Sequence, residues 1–162
     1  MSDNKTVSQN PQNPAHTSTT QTKSRVKKNW IPVSAGILIK DGMILVGQRP
    51  ENHTLAGLWE FPGGKIELGE SPEQALAREL EEELGVVAEI GDLKIACTHS
   101  YSDVGIIILF YEVLFWKGEP KTKHHINLKW VKPSELPTMK IPDANRKNLS
   151  RIYKAFQLKG ND

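Results

Sequence analysis

Three glutamates, Glu79, Glu82 and Glu83, stand in the run Arg78-Glu79-Leu80-Glu81-Glu82-Glu83-Leu84. On a helix advancing about 100° per residue, Glu82 and Glu83 flank Glu79 within an arc of about 100°, and Glu81 points away. Leu76, Ala77, Leu80 and Leu84 form an apolar stripe beside that arc. A Glu-rich run is ordinarily a solvated acidic face, and such a face lies opposite the buried stripe. This one borders it, so its members are expected to be partly desolvated. Carboxylates three and four residues apart repel by roughly 0.2–0.5 kcal/mol per pair, and no Lys or Arg follows at i+4 to relieve them. A divalent cation would relieve them, and Mg²⁺ suits a few carboxylates plus the phosphates of a substrate. The chemistry open to such a face is metal-assisted phosphoryl hydrolysis.

The helix that must hold these groups has clear ends. Ser71 caps it, Pro72 fits the first turn and Gln74 completes a capping box. The pattern runs to Leu84 and stops at Gly85. Upstream, residues 31–40 and 43–49 are apolar and β-branched around Asp41-Gly42, a strong hairpin signal. A polar loop over 50–57 leads to a short strand at 59–61 and then Pro62-Gly63-Gly64. Downstream, strands are predicted at 86–90, 93–101, 104–116 and 128–131. Asp143 is expected to cap a final helix through Leu158, since Leu149, Ile152, Tyr153 and Phe156 recur at helical spacing. The order of strands, helix, strands and helix predicts an α/β sandwich with a mixed sheet between helices.

Composition narrows the classes further. Hydrophobic residues make up 38% and charged residues 25% of 162, as in soluble globular chains, and no apolar run is long enough for a transmembrane helix. Residues 1–28 hold five basic side chains and one acid, Asp3, leaving 16 basic and 18 acidic groups in the rest. The net charge of +2 therefore belongs to the tail and is no argument for a nucleic-acid-binding domain. Residues 1–24 contain 17 Ser, Thr, Asn, Gln or Pro and no Phe, Trp or Tyr, a composition expected to be disordered. The expected division is thus a polar, basic tail over 1–28 and one folded domain over 29–162. The tail lacks the apolar core of a secretory signal, so a cytoplasmic location is expected. One cysteine, Cys97, excludes an internal disulfide and any zinc site with two thiolates.

Gly64, five residues, Glu70, seven residues, Arg78-Glu79-Leu80, then Glu82-Glu83 and Gly85-Val86 resembles the Nudix hydrolase box at every fixed position. The resemblance spans roughly residues 30–157. The stretch from Trp59 to Glu67 is similar to the MutT branch, the 8-oxo-dGTP diphosphatases. The resemblance implies a Nudix-type α/β/α sandwich and a requirement for Mg²⁺, with Mn²⁺ as a substitute. It implies that Glu79, Glu82 and Glu83 bind metal with the Gly63 carbonyl, and that Arg78 holds the box carboxylates in place. Lys65 matches a lysine near the substrate phosphates. Arg49, Phe61 and Asn145 fall where MutT-type enzymes contact the purine, and Thr54, Glu60 and Pro62 belong to the same substrate-binding group. Tyr101 and Asp103 lie where two strands should open on the pocket. In one place the chain departs from the pattern. MutT-like sequences often carry a glutamate in the loop before the last strand, where this chain has Lys123-His124-His125. Either histidine could lie at the surface, or serve as a base or phosphate contact near neutral pH.

These implications give a leading expectation and three rivals. The leading one is a pyrophosphohydrolase that converts 8-oxo-dGTP or a related nucleoside triphosphate to monophosphate and pyrophosphate, protecting replication from oxidised precursors. An RNA 5′-pyrophosphohydrolase would keep the chemistry and use the basic tail along the RNA backbone. A CTP-preferring relative would change only the base. A non-catalytic nucleotide sensor would have no need of all the box glutamates. Both monomer and homodimer are compatible with the sequence. Deleting residues 1–28 should leave stability and mononucleotide hydrolysis unchanged, because the tail has neither core nor box residues. Loss of activity on triphosphorylated RNA alone would point to the RNA reading, and loss on free nucleotides would contradict the boundary.

Overall fold

Strand β1 (Asn29–Ile37) explains the two-sided core through its period of two. Ala35 and Ile37 enter one apolar cluster, while Ser34 and Gly36 face the other side. There Ser34 Oγ donates to the Pro72 carbonyl at 2.8 Å, and the missing side chain of Gly36 lets Leu76 approach the strand. The coordinates are a computed structural model and describe residues 29–159. The expected disordered tail, residues 1–28, lies outside the described residues.

Two sheets share the work. In the first, β5 (Gly63–Lys65), β1, β7 (Val104–Lys117) and β6 (Val87–Ser100) lie in that order. β1 and β7 are parallel and the outer pairs antiparallel, so this sheet is mixed. In the second, β3 (Met43–Gln48) pairs antiparallel with β2 (Ile39–Lys40), β4 (Trp59–Glu60) and β8 (Asn127–Val131). Helix α1 (Pro72–Leu84) packs on β1, β5 and β6. Its Leu76, Leu80 and Leu84 join Leu38, Leu45, Val86, Tyr111 and Val113 in one core. On the opposite face, Leu149 and Ile152 join Ile37, Ile44, Val46, Phe61, Ile108 and Phe110 in the other. Helices thus cover both faces, as the α/β/α expectation requires.

Several expected elements have different bounds. The segment 31–40 is not one strand. It switches sheets at buried Leu38, so the Asp41-Gly42 turn, with φ of 52° and 74°, closes a hairpin of the second sheet only. The strands expected at 86–90 and 93–101 are one long β6, whose pairing with β7 shifts register at irregularities between Glu89 and Ile95. Gly63-Gly64-Lys65, for which no element was predicted, is a strand antiparallel to β1. A 3₁₀ turn, Pro133–Thr138, intervenes before the last helices.

The final helix is broken in two, α2 (Asp143–Arg146) and α3 (Leu149–Ala155). Asn148, with φ −110° and ψ 2°, leaves the helical region, and its amide donates back to the Ala144 carbonyl at 2.7 Å. A side chain competing for backbone partners interrupts the ladder. Pro142, and not Asp143, occupies the cap position, with no side-chain hydrogen bond. Among the described residues no helix is long and apolar enough to cross a membrane.

Because Leu80 is fully buried at the centre of the α1 core, Leu80→Ala should destabilise the protein by about 2–5 kcal/mol. Urea unfolding followed by circular dichroism checks this; a loss below about 1 kcal/mol would mean that the α1 stripe is not packed as described.

Candidate active site

The box folds as strand, loop and helix because its polar residues bind one another across the loop. Ser71 and Gln74 exchange the expected pair of capping hydrogen bonds, and Gly85 closes the helix in the left-handed region with φ 71°. Arg78, at the middle of α1, reaches back over the loop. Its Nε and Nη2 donate to the two oxygens of Glu70 at 2.6 and 2.9 Å, and Nη2 also reaches the Lys65 carbonyl at 3.2 Å. The Arg78 hydrogen bonds hold the Glu70 carboxyl down at about 2. Nη1 of the same guanidinium donates to Glu79 at 2.9 Å and to Glu82 at 3.4 Å. One planar cation therefore fixes the loop and orients two of the three carboxylates.

The third carboxylate is set differently. Glu83 is buried against the sheet, and the Gly63 N–H donates to its Oε2 at 3.1 Å. Burial raises its pKa to about 7, against the attraction of His125 and the Gly63 hydrogen bond and with added repulsion from Glu60 and Glu79. Gly63 sits at φ 144° against the Ser34 carbonyl, a position closed to any side chain. At Gly64 a Cβ would overlap the Glu79 carboxylate, so the glycine pair lets strand β5 press directly onto the acidic face.

Among the described residues, no three acidic, His or Cys side chains already converge as a cage for an ion. The reason is visible in the hydrogen bonds. Arg78 draws Glu79 and Glu82 to one side, and Gly63 holds Glu83 at the other. A divalent ion that keeps most of its waters and shares substrate phosphates needs only one or two carboxylates directly. The donor set fits such an ion: three carboxylates on one helical arc, one of them buried with a raised pKa and held by the Gly63 N–H.

A cleft of about 740 Å³ opens next to this face. Of the residues singled out from the sequence, Arg49, Thr54, Glu60, Phe61, Gly63, Lys65, Tyr101 and Asn145 line it together. Arg49 is held in place by the Thr54 carbonyl at 2.7 Å and by Glu60 at 2.6 Å. Phe61 is buried edge-on to Phe110, with centroids 5.8 Å apart. Asn145 is buried at the α2 side. The box residues Arg78, Glu79, Glu82 and Glu83 do not line the cleft, nor do two of the expected substrate-binding residues. Asp103 lies exposed in the β6–β7 turn, where it accepts from the Ser102 hydroxyl at 3.1 Å. Pro62 is buried and its carbonyl is taken by the Gly36 N–H at 2.9 Å, so it serves the sheet. The two loop histidines part company: His124 is exposed with its ring 4.9 Å from His53, whereas His125 is buried and absent from the cleft wall.

Residues 34–151 match the model of the NUDIX domain. The chain belongs to the Nudix hydrolase family. An 8-oxo-dGTP diphosphatase from Haemophilus influenzae is 41% identical over 126 residues, 77% of this chain and 93% of that protein. A CTP pyrophosphohydrolase from Escherichia coli is 42% identical over 105 residues, 65% of this chain and 78% of that one. The solution structure of the E. coli ORF135 protein superposes with a TM-score of 0.70 at 36% identity, covering 80% of this chain and 94% of that one. As a Nudix hydrolase the protein needs a divalent metal.

The apolar floor of the Nudix cleft was not singled out from the sequence. Ile31, Val33 and Ala35 of β1 and Ile106 and Ile108 of β7 form it. Their signal is the strict alternation along β1, which reads equally well as ordinary core. His53, in the polar loop, had no signal at all.

Glu83 also generates a prediction. In metal-free protein its folded pKa of about 7 exceeds the ordinary value of 4.5, so between these values the native state binds more protons than the unfolded chain. Stability must then fall as pH rises through that window. Thermal unfolding in chelator should show this decline in the parent protein and a flatter profile in Glu83→Gln. Added divalent cation should stabilise the parent above pH 7 and leave Glu83→Gln nearly unmoved. Parallel profiles for the two proteins would contradict the buried, metal-relieved carboxylate.

Proposed function

We propose that this Nudix hydrolase is a Mg²⁺-dependent pyrophosphohydrolase of purine nucleoside triphosphates, with 8-oxo-dGTP as its preferred substrate. Mn²⁺ is expected to substitute for Mg²⁺. The observation that carries the reading is one cleft lined by Gly63 and Gly64, which pack against the Glu83 and Glu79 carboxylates, and by the buried Asn145. The similarity to the Haemophilus diphosphatase supports the same assignment.

The chain's own groups divide the task by chemistry. Glu79, Glu82 and Glu83, with the Gly63 carbonyl, are the residues proposed to hold the cation, which when bound polarises phosphoryl oxygens. Lys65 and Arg49 face the cleft and balance the charge of the triphosphate. Arg78 keeps Glu79 and Glu82 aimed while the substrate enters, because its remaining donors are tied to Glu70 and Lys65. Phe61 offers an aromatic wall to the base. Asn145 offers one acceptor and two donors to a purine edge. Its amide makes no hydrogen bond among the described residues, in contrast to Asn148, which spends its amide on Ala144 and Arg151. Asp103, on its exposed turn, and Pro62, behind the sheet, are left without a role in this reading.

Glu82→Gln and Glu83→Gln should each lower kcat by about a hundredfold or more, the scale of a single well-placed electrostatic group. Normal rates at saturating Mg²⁺ would show that the metal face is assigned wrongly. The base assignment is tested by Asn145→Ala across 8-oxo-dGTP, dGTP, CTP, dTTP and triphosphorylated RNA. Leaving a buried polar edge unpaired should lower kcat/KM for 8-oxo-dGTP roughly 10- to 150-fold and leave dTTP nearly unchanged. Equal losses on every substrate would make Asn145 a structural residue. Highest activity on CTP, the substrate in the name of the E. coli relative, would replace the purine reading.

A further inference from the structure

We infer that His125 is a positioning residue that acts through Glu60 to aim Arg49 into the cleft. The inference rests on the reading that Arg49 faces the triphosphate substrate, and on no particular choice of base.

The geometry is that of a buried relay ending in a cleft cation. The His125 side chain is completely inaccessible, and neither ring nitrogen has a hydrogen-bond partner. Its Nε2 lies 3.4 Å from Glu60 Oε1, close enough for an ion-pair contact but out of line for a hydrogen bond. Among the described residues, Glu60 is the one carboxylate within 4.0 Å of a ring nitrogen. The other Glu60 oxygen accepts from Arg49 Nη1 at 2.6 Å, and Arg49 Nε is fixed on the Thr54 carbonyl at 2.7 Å. Glu60 thus has one oxygen for the cleft arginine and one for the hidden imidazole.

The fold makes room for this ring at some expense to packing freedom. A Cβ on Gly47 would come within 2.6 Å of the imidazole, so β3 carries a glycine directly against it. The loop that delivers His125 is pinned to the end of α1, with the Lys121 and Lys123 N–H groups donating to the carbonyls of Leu84 and Glu83 at 2.9 and 3.1 Å. A filler would serve that space better as leucine or phenylalanine, since an imidazole buried with two unpaired nitrogens is unfavourable. A small rotation that lets Nε2–H donate to Glu60 removes half of that deficit. Active-site hydrogen bonds that are loose without substrate commonly tighten with it. The side chain is shut off from the cleft, so it touches neither base nor phosphate.

The test uses the full chain. In the metal-free, substrate-free protein, ¹⁵N chemical shifts of the imidazole should show a proton on Nε2; this readout is independent of any activity. Kinetics then use whichever triphosphate the parent enzyme hydrolyses best. His125→Leu should lower kcat/KM about tenfold, the scale of one charge-assisted hydrogen bond. His125→Gln, which keeps a donor, should recover most of that loss. In an Arg49→Ala background, His125→Leu should cost nothing further, because the two act as one unit. A neutral ring protonated on Nδ1 alone would overturn the inference. So would losses from His125→Leu and Arg49→Ala that simply multiply, the outcome expected of a filler. Should His125→Leu fail to fold, the ring proton and the Gln variant decide the matter alone.

Discussion

The bidentate grip of Arg78 on Glu70 is the contact on which the rest of the site depends. Neither residue needs to touch substrate for this to matter. The guanidinium ties the loop carrying Glu70 and the Lys65 carbonyl to the helix that carries the acidic arc. In doing so it sets the distance between strand β5, with Gly63 and Gly64, and the Glu79 and Glu83 carboxylates. A carboxylate face next to an apolar stripe would otherwise rotate outward to water, since like charges and desolvation both push it there. Arg78 supplies one positive charge against Glu70, Glu79 and Glu82, too little to neutralise them. The residual negative charge is what makes the face receptive to a divalent ion.

The site joins two environments that the sequence keeps apart by many residues. Strand β5 belongs to the first sheet and β4 to the second, yet only Phe61 and Pro62 separate them. The chain therefore crosses between sheets at the point where Glu60 faces Arg49 and Gly63 faces Glu83. The cleft lies along that crossing. Asn145 comes from the far end of the chain, and it arrives there because α2 is a short separate turn, released from α3 by the Asn148 side chain.

Much of this was legible in the residues. The caps of α1 and the buried Leu76, Leu80 and Leu84 appear as read from spacing, whereas Ala75 is buried in place of Ala77, and of the three arc glutamates Glu83 is buried while Glu82 is exposed. The grouping of Arg49, Phe61, Lys65, Tyr101 and Asn145 came only with the family resemblance, since no local pattern links positions so far apart. Other features were hidden for physical reasons. Strand ends shifted because the switch of sheets at Leu38 leaves no local mark, and the irregularities in β6 are imposed by its pairing with β7. The break at Asn148 is a contest between side chain and backbone that periodicity does not register. Burial of His125 depends on Gly47, a residue 78 positions away. Composition of its own loop pointed to the surface instead.

The residues of the α1 face are proposed to hold a divalent cation that would polarise phosphoryl oxygens, with hydrolysis breaking the link between the α and β phosphates of a nucleotide seated in the adjacent cleft. Phosphorus-31 NMR of the products tests it most directly. With Mg²⁺ and a guanine nucleoside triphosphate, the spectrum should show nucleoside monophosphate and pyrophosphate in equal amounts, and no reaction in chelator. Nucleoside diphosphate with orthophosphate, or turnover that persists without a divalent ion, would contradict the account.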